Sequence, residues 1–121
     1  MSERKLPLGE NLVFEDSAKF IGGSTFLEAP LKGALVLTNH RIFFEEHVGK
    51  RDKRILIRLE IPLSILDQVK ISKGRFWSRP VVTLVYRSKE NTLEQPSFSV
   101  RDYESWKASF SRVNIGGLRI V

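Results

Sequence analysis

Apolar residues recur at every second position in several short segments of this chain, and near its C-terminal end the spacing changes to three and four. Leu35 and Leu37 before Asn39-His40, and Ile42 and Phe44 after it, are placed to share one face of an antiparallel hairpin. Asn39 is the expected turn residue, in a left-handed or Asx-type conformation. One hairpin cannot bury such a face, so further strands and a lid have to close around it.

The other segments supply them. Leu12 to Ile21 predicts a first strand centred on Ala18 to Ile21, which Gly22-Gly23-Ser24 ends, and Gly33 begins the second. Ile55, Ile57, Leu59 and Ile61 alternate with Leu56, Arg58 and Glu60, predicting a half-buried fourth strand that stops at Pro62. Leu63-Ser64-Ile65 turns the chain into a fifth strand, Leu66 to Ser72. Val81 to Tyr86 and Ser97 to Val100 make the sixth and seventh. From Asp102 the period lengthens: Tyr103, Trp106, Phe110 and Val113 form one stripe of a helix, with Asp102 suited to cap its first turn. The stripe reads as core against the strands rather than as a partner groove, while Lys107, Ser111 and Arg112 on the opposite face are open to a protein partner. Residues 1–9 read as a flexible arm, 10–113 as the domain, and 114–121 as a tail or the start of a linker.

Composition changes this picture little until charge is mapped. The chain has 121 residues, 41% of them hydrophobic, which suits one domain with a real core. The absence of cysteine excludes disulfides and thiolate metal sites. The apolar runs are far shorter than a membrane span or a signal-peptide core, so the expected place is the cytoplasm, peripheral to membranes. The net charge of +6 is concentrated: residues 41–89 carry twelve Lys/Arg against five Asp/Glu, whereas the flanking regions are near balance. A localised basic region attracts phosphate-bearing partners, although it also serves solubility.

Seven strands and a C-terminal helix resemble the pleckstrin-homology (PH) superfold, which implies two near-orthogonal antiparallel sheets forming a seven-stranded, partly open barrel capped by the amphipathic helix. The residues sharpen the resemblance. Gly33-Ala34-Leu35-Val36-Leu37-Thr38-Asn39-His40-Arg41-Ile42-Phe43-Phe44 is similar to the hairpin core of GRAM-type PH-like domains, and Ile61-Pro62-Leu63-Ser64-Ile65 with Val69 resembles the segment that follows it in that family. Asp102-Tyr103-Glu104-Ser105-Trp106 resembles its helix start. Asn114-Ile115-Gly116-Gly117-Leu118-Arg119 is similar to the continuation of GLUE domains, the PH-like modules of an ESCRT-II sorting subunit. That narrower resemblance implies phosphoinositides, ubiquitin and ESCRT-II subunits as partners. The chain departs from eukaryotic examples in lacking inserted zinc fingers.

Lys73-Gly74-Arg75-Phe76-Trp77-Ser78-Arg79-Pro80 is the leading candidate site. Lys73, Arg75 and Arg79 would hold phosphate while Phe76 and Trp77 enter the bilayer interface. The competing reading folds Phe76 or Trp77 back over the barrel and leaves the cations solvated. Lys50, Arg51, Lys53, Arg54 and Arg58 would add long-range attraction, or simply mark an exposed hairpin tip. Phosphoinositide-binding PH domains place cations on the first two strands and the loop between them, where residues 21–32 offer only Lys32; that argues against the usual pocket and assigns any lipid contact to the other loops, such as the basic stretch 70–79.

His40 and His47 have no carboxylates at metal-site spacings, no glycine-rich phosphate cradle precedes the helix, and no serine sits in a nucleophile elbow. No cofactor, metal or enzymatic activity is expected. The expected function is a non-catalytic adaptor on anionic or phosphoinositide membranes, in ESCRT-type protein transport with ubiquitin binding. The alternatives are a protein-interaction scaffold without lipid binding, with ubiquitin or a complex subunit as partner, and nucleic-acid binding through the basic middle. Nucleic acid ranks last because the aromatics near the cations form one short cluster rather than a stacking platform.

Overall fold

The computed structural model describes residues 6–49, 51, 54–74, 78–113 and 118–121. Its strands are β1 (Leu12–Gly22), β2 (Leu31–Thr38), β3 (Arg41–Val48), β4 (Arg54–Pro62), β5 (Leu66–Ser72), β6 (Val81–Arg87), β7 (Leu93–Glu94), β8 (Ser97–Ser99) and β9 (Arg119–Ile120), with helix α1 (Tyr103–Arg112) before β9. Among the described residues they join in one sheet ordered β4-β3-β2-β1-β8-β6-β5-β9, with β7 beside β6. Helix α1 packs on β1 and also on β5 and β9, near the far end of that order. One helix reaches both only if the sheet curls round. The result is a partly open barrel, mainly β, with its C-terminal helix over one end.

The central hairpin pairs Leu35 with Phe44 and Leu37 with Ile42, and all four side chains are fully buried. Phe20, Phe44 and Phe98 meet beside them, with ring centroids 5.2 to 6.4 Å apart. The helix stripe closes this core as its spacing predicts, with Trp106 and Phe110 fully buried and Tyr103 and Val113 partly so. Phe14 meets Trp106 edge-on at 4.9 Å. A carboxylate fixes the helix start to the barrel: Asp16 Oδ2 accepts from Trp106 Nε1 at 3.1 Å and from the backbone N–H of Arg101 and Asp102. Asp102 in turn caps the helix by accepting from the Ser105 amide, and the Ser105 hydroxyl and amide hold its carboxyl below the ordinary range.

Four local features differ from the pattern-based expectation. The hairpin turn is closed by Thr38, whose Oγ1 accepts from the amides of His40 and Arg41. Asn39 keeps a negative φ and reaches sideways instead, accepting from the Asn11 amide and donating to the Gly9 carbonyl. It therefore ties down the end of the expected arm. Glu10 is buried there as well, accepting from Thr38 Oγ1 at 2.6 Å and Arg41 Nε at 2.8 Å.

The third difference is in β4, where Phe44 pairs with Leu59 but the next residue, Glu45, pairs with Ile57. Arg58 is thus an extra residue, a bulge that moves Ile57 and Ile55 onto the face opposite Leu59 and Ile61. Ile55 and Ile57 are 55% and 51% exposed, whereas Ile61 is fully buried. The fourth is the pair of short strands β7 and β9. Arg119–Ile120, expected as tail, runs parallel to β5, and Leu118 and Ile120 pack against the core.

Candidate functional site

Alternation along β1 decides which side chains face outward. Ala18 and Phe20 point into the core, so Ser17 and Lys19 point away from it. Cross-strand partners share a face, and the register sets Lys19 opposite Lys32 of β2 on one side and Ser99 of β8 on the other. Lys32, Lys19 and Ser99 therefore form one row across three strands. The chain folds this way locally because Gly33 lets β2 and β3 approach closely: a Cβ there would overlap the carbonyl oxygen of Glu45.

Arg79 lies beside the row. Together with Ser17, Lys19, Lys32 and Ser99 it lines an outer-surface cleft of about 460 Å³. Arg79 also lines an adjoining cleft of about 450 Å³ with Ser72, Lys73 and Ser78. Gly74 shapes that loop with φ +83°, and a side chain on it would meet the carbonyl oxygens of Ser78 at 2.6 Å and Arg79 at 2.9 Å. No ion pair joins Lys19, Lys32, Lys73 or Arg79 to a carboxylate among the described residues. Three cations and two hydroxyls converging on one concavity suit a phosphate, which takes charge from the first and hydrogen bonds from the second.

Of the residues singled out in the sequence, Lys73 and Arg79 meet at this place, while Arg75, Phe76 and Trp77 lie outside the described residues. Arg51, Arg54 and Arg58 sit on the β3–β4 hairpin, and Lys50 and Lys53 also lie outside the described residues. β4 is separated from β1 by β3 and β2, so this second basic group does not line the cleft. Arg58 is engaged by Glu46 at 2.7 Å.

Lys19 escaped the sequence reading. Its outward direction follows from the β1 alternation, but its pairing with Lys32 depends on a register that the turn-rich stretch 23–30 conceals. Lys32 looked isolated for the same reason. The histidines hold structural positions: His40 Nε2 is 3.1 Å from the Gly9 carbonyl, and His47 Nε2 is 3.9 Å from Glu45 Oε1. Among the described residues no group of three or more His, Asp or Glu side chains is arranged to hold a metal. No described helix is long and apolar enough to cross a membrane.

Comparison with solved structures bears on the fold. The hSac2 domain from human phosphoinositide phosphatase Sac2 matches with a TM-score of 0.62 at 15% identity, over 96% of this chain and 79% of that one. The Vps36 N-terminal PH domain matches with a TM-score of 0.60 at 20% identity, over 90% and 82%. No protein-family model and no curated protein sequence matches the chain.

Proposed function

We propose that this PH-like domain is a non-catalytic adaptor that docks on anionic membranes by holding a lipid phosphate in the cleft of Lys19, Lys32 and Arg79. The observation that carries this reading is the direct opposition of Lys19 and Lys32, with Arg79 lining the same cleft and no carboxylate paired to any of the three among the described residues. Arg75, Phe76 and Trp77 lie between Lys73 and Arg79 in the sequence, and in this reading Phe76 and Trp77 enter the interface while Lys73, Arg75 and Arg79 face head groups. Lys50, Arg51, Lys53, Arg54 and Arg58 contribute long-range attraction. Likeness to the fold of a domain from a phosphoinositide phosphatase supports phosphoinositide as the lipid class.

The Vps36 likeness and the GLUE-like stretch 114–119 support a role in ESCRT-type sorting, peripheral to cytoplasmic membranes, with ubiquitin and ESCRT-II subunits as protein partners. Sedimentation with phosphatidylcholine vesicles, with and without phosphoinositide, at moderate salt tests the lipid reading. The wild type pellets with phosphoinositide vesicles and Arg79→Ala stays in the supernatant. Equal recovery with neutral and anionic vesicles at low salt would sink it. Titration of the labelled domain with ubiquitin, following the amides of α1, tests the protein partner.

A further inference from the structure

The sheet ends at β4, whose outer edge has no neighbouring strand among the described residues. Such an edge presents backbone N–H and C=O groups ready to pair, and proteins normally blunt it with charge, proline or a cover. Here it carries Ile55, Leu56 and Ile57 in succession, 55%, 39% and 51% exposed. The bulge at Arg58 puts Ile57 and Ile55 on the outer face, with Glu45 and His47, and leaves Leu56 on the other. Beside them His47, Val48, Gly49, Arg54 and Ile55 line a cleft of about 360 Å³. Apolar exposure on both faces of one edge strand suits an occupant that arrives edge-on. A bilayer could cover only one face.

We infer that β4 is a docking edge for an extended, acidic segment of a partner protein, which adds a strand beside β4. Charge selects this occupant. Arg54 and Arg58 bracket the apolar triplet, and residues 46–58 carry five Lys/Arg against two carboxylates. Arg58 reaches Glu46, but Arg54 has no ion-pair partner among the described residues. A second copy pairing antiparallel about Leu56 would set Arg54 against Arg58, a like-charge pair that disfavours self-association. A segment with alternating β-branched residues between acidic ends would cover the triplet on both faces and neutralise Arg54, which lacks an ion-pair partner among the described residues. This inference does not rest on the lipid reading, whose phosphate cleft is lined by Lys19, Lys32 and Arg79 and to which Arg54 and Arg58 lend only distant charge.

Hydrogen exchange on the whole chain tests it, with a short synthetic peptide in which valine alternates with threonine between terminal glutamate pairs. The expected result is slowed exchange confined to amides of residues 54–60, at least tenfold weaker binding for Arg54→Glu, and recovery of that variant by a lysine-ended peptide. Arg54 is exposed at the strand start, so the charge reversal leaves the fold intact. Three results would overturn the inference: no protection of 54–60, equal binding of a control peptide with a central proline, or a concentration-dependent dimer that protects the same amides without peptide. Protection of 54–60 by anionic vesicles alone would also overturn it, in favour of a membrane contact.

Discussion

Lys19 and Lys32 stand directly opposite each other in the antiparallel β1–β2 ladder, two like charges on one face with no acid paired to either among the described residues. Such a pair weakens a sheet by a few tenths of a kcal/mol to about 1 kcal/mol. A chain selected for stability alone would gain by separating the charges, whereas a chain that binds an anion keeps them together. Changing both to alanine should therefore leave the melting temperature unchanged or slightly higher while weakening binding to phosphoinositide vesicles. At about 1 kcal/mol per cation near an anionic surface, the loss should be about 30-fold. Thermal melts and vesicle sedimentation on the same preparation check both halves, and a lower melting temperature with unchanged binding would assign the pair to structure.

Gly33 holds the β2–β3 pair at a separation that no other residue tolerates, since its missing Cβ is where the Glu45 carbonyl oxygen lies. Backbone cannot give way as a flexible side chain can. Gly33→Ala should cost more than about 3 kcal/mol, in the range of severe steric lesions, and should move β3 away from β2. Urea unfolding would show it as a lower midpoint with little change in slope.

Trp106 joins helix and barrel in two separable ways, by filling the core beside Phe14 and Phe110 and by donating to Asp16. Trp106→Ala removes both and should cost about 3 to 5 kcal/mol. Trp106→Phe keeps most of the packing and loses the hydrogen bond, so it should cost less. Asp16→Asn strips charge from the oxygen that also accepts from Arg101 and Asp102, and should lower stability by about 1 to 3 kcal/mol. If Trp106→Phe proved as damaging as Trp106→Ala, the hydrogen bond rather than packing would dominate this joint.

Periodicity revealed the elements that repeat it. Leu35, Leu37, Ile42 and Phe44 share the face their alternation predicts, and Trp106 and Phe110 are buried as their spacing predicts. It failed where a single residue broke the count. Ile55 and Ile57 continue the alternation of Leu59 and Ile61 on paper, but the extra Arg58 turns them outward, and only the pairing with Glu45 reveals it. β9 is too short to show any period, and its partner is distant in sequence. The cleft was half legible. The basic loop around Lys73 and Arg79 announces itself by composition, whereas Lys19 and Lys32 become neighbours only through the β1–β2 register.

Glu10 and Arg41 form a nearly buried ion pair, their side chains 5% and 18% exposed, that fastens the N-terminal segment to the turn of the central hairpin. Burial pushes the Glu10 carboxyl up. The hydrogen bonds from Arg41 and Thr38, with the charges of Arg41 and His40, outweigh it and hold the pKa below the ordinary 4.5. A carboxyl whose pKa is depressed by folding contributes stability that is fully present above its unfolded value and is lost as pH falls through the folded one. Wild-type stability should accordingly decline as the pH drops below about 4.5. Glu10→Gln removes the charge, leaves Arg41 with Glu60 at 3.1 Å as its ion-pair partner among the described residues, and should cost about 1.5 to 3 kcal/mol at neutral pH. Because glutamine does not titrate, the variant should lose less on acidification, and the two curves should converge at low pH. Parallel curves from pH 7 to pH 3 would mean that this ion pair does not hold the N-terminal segment in place.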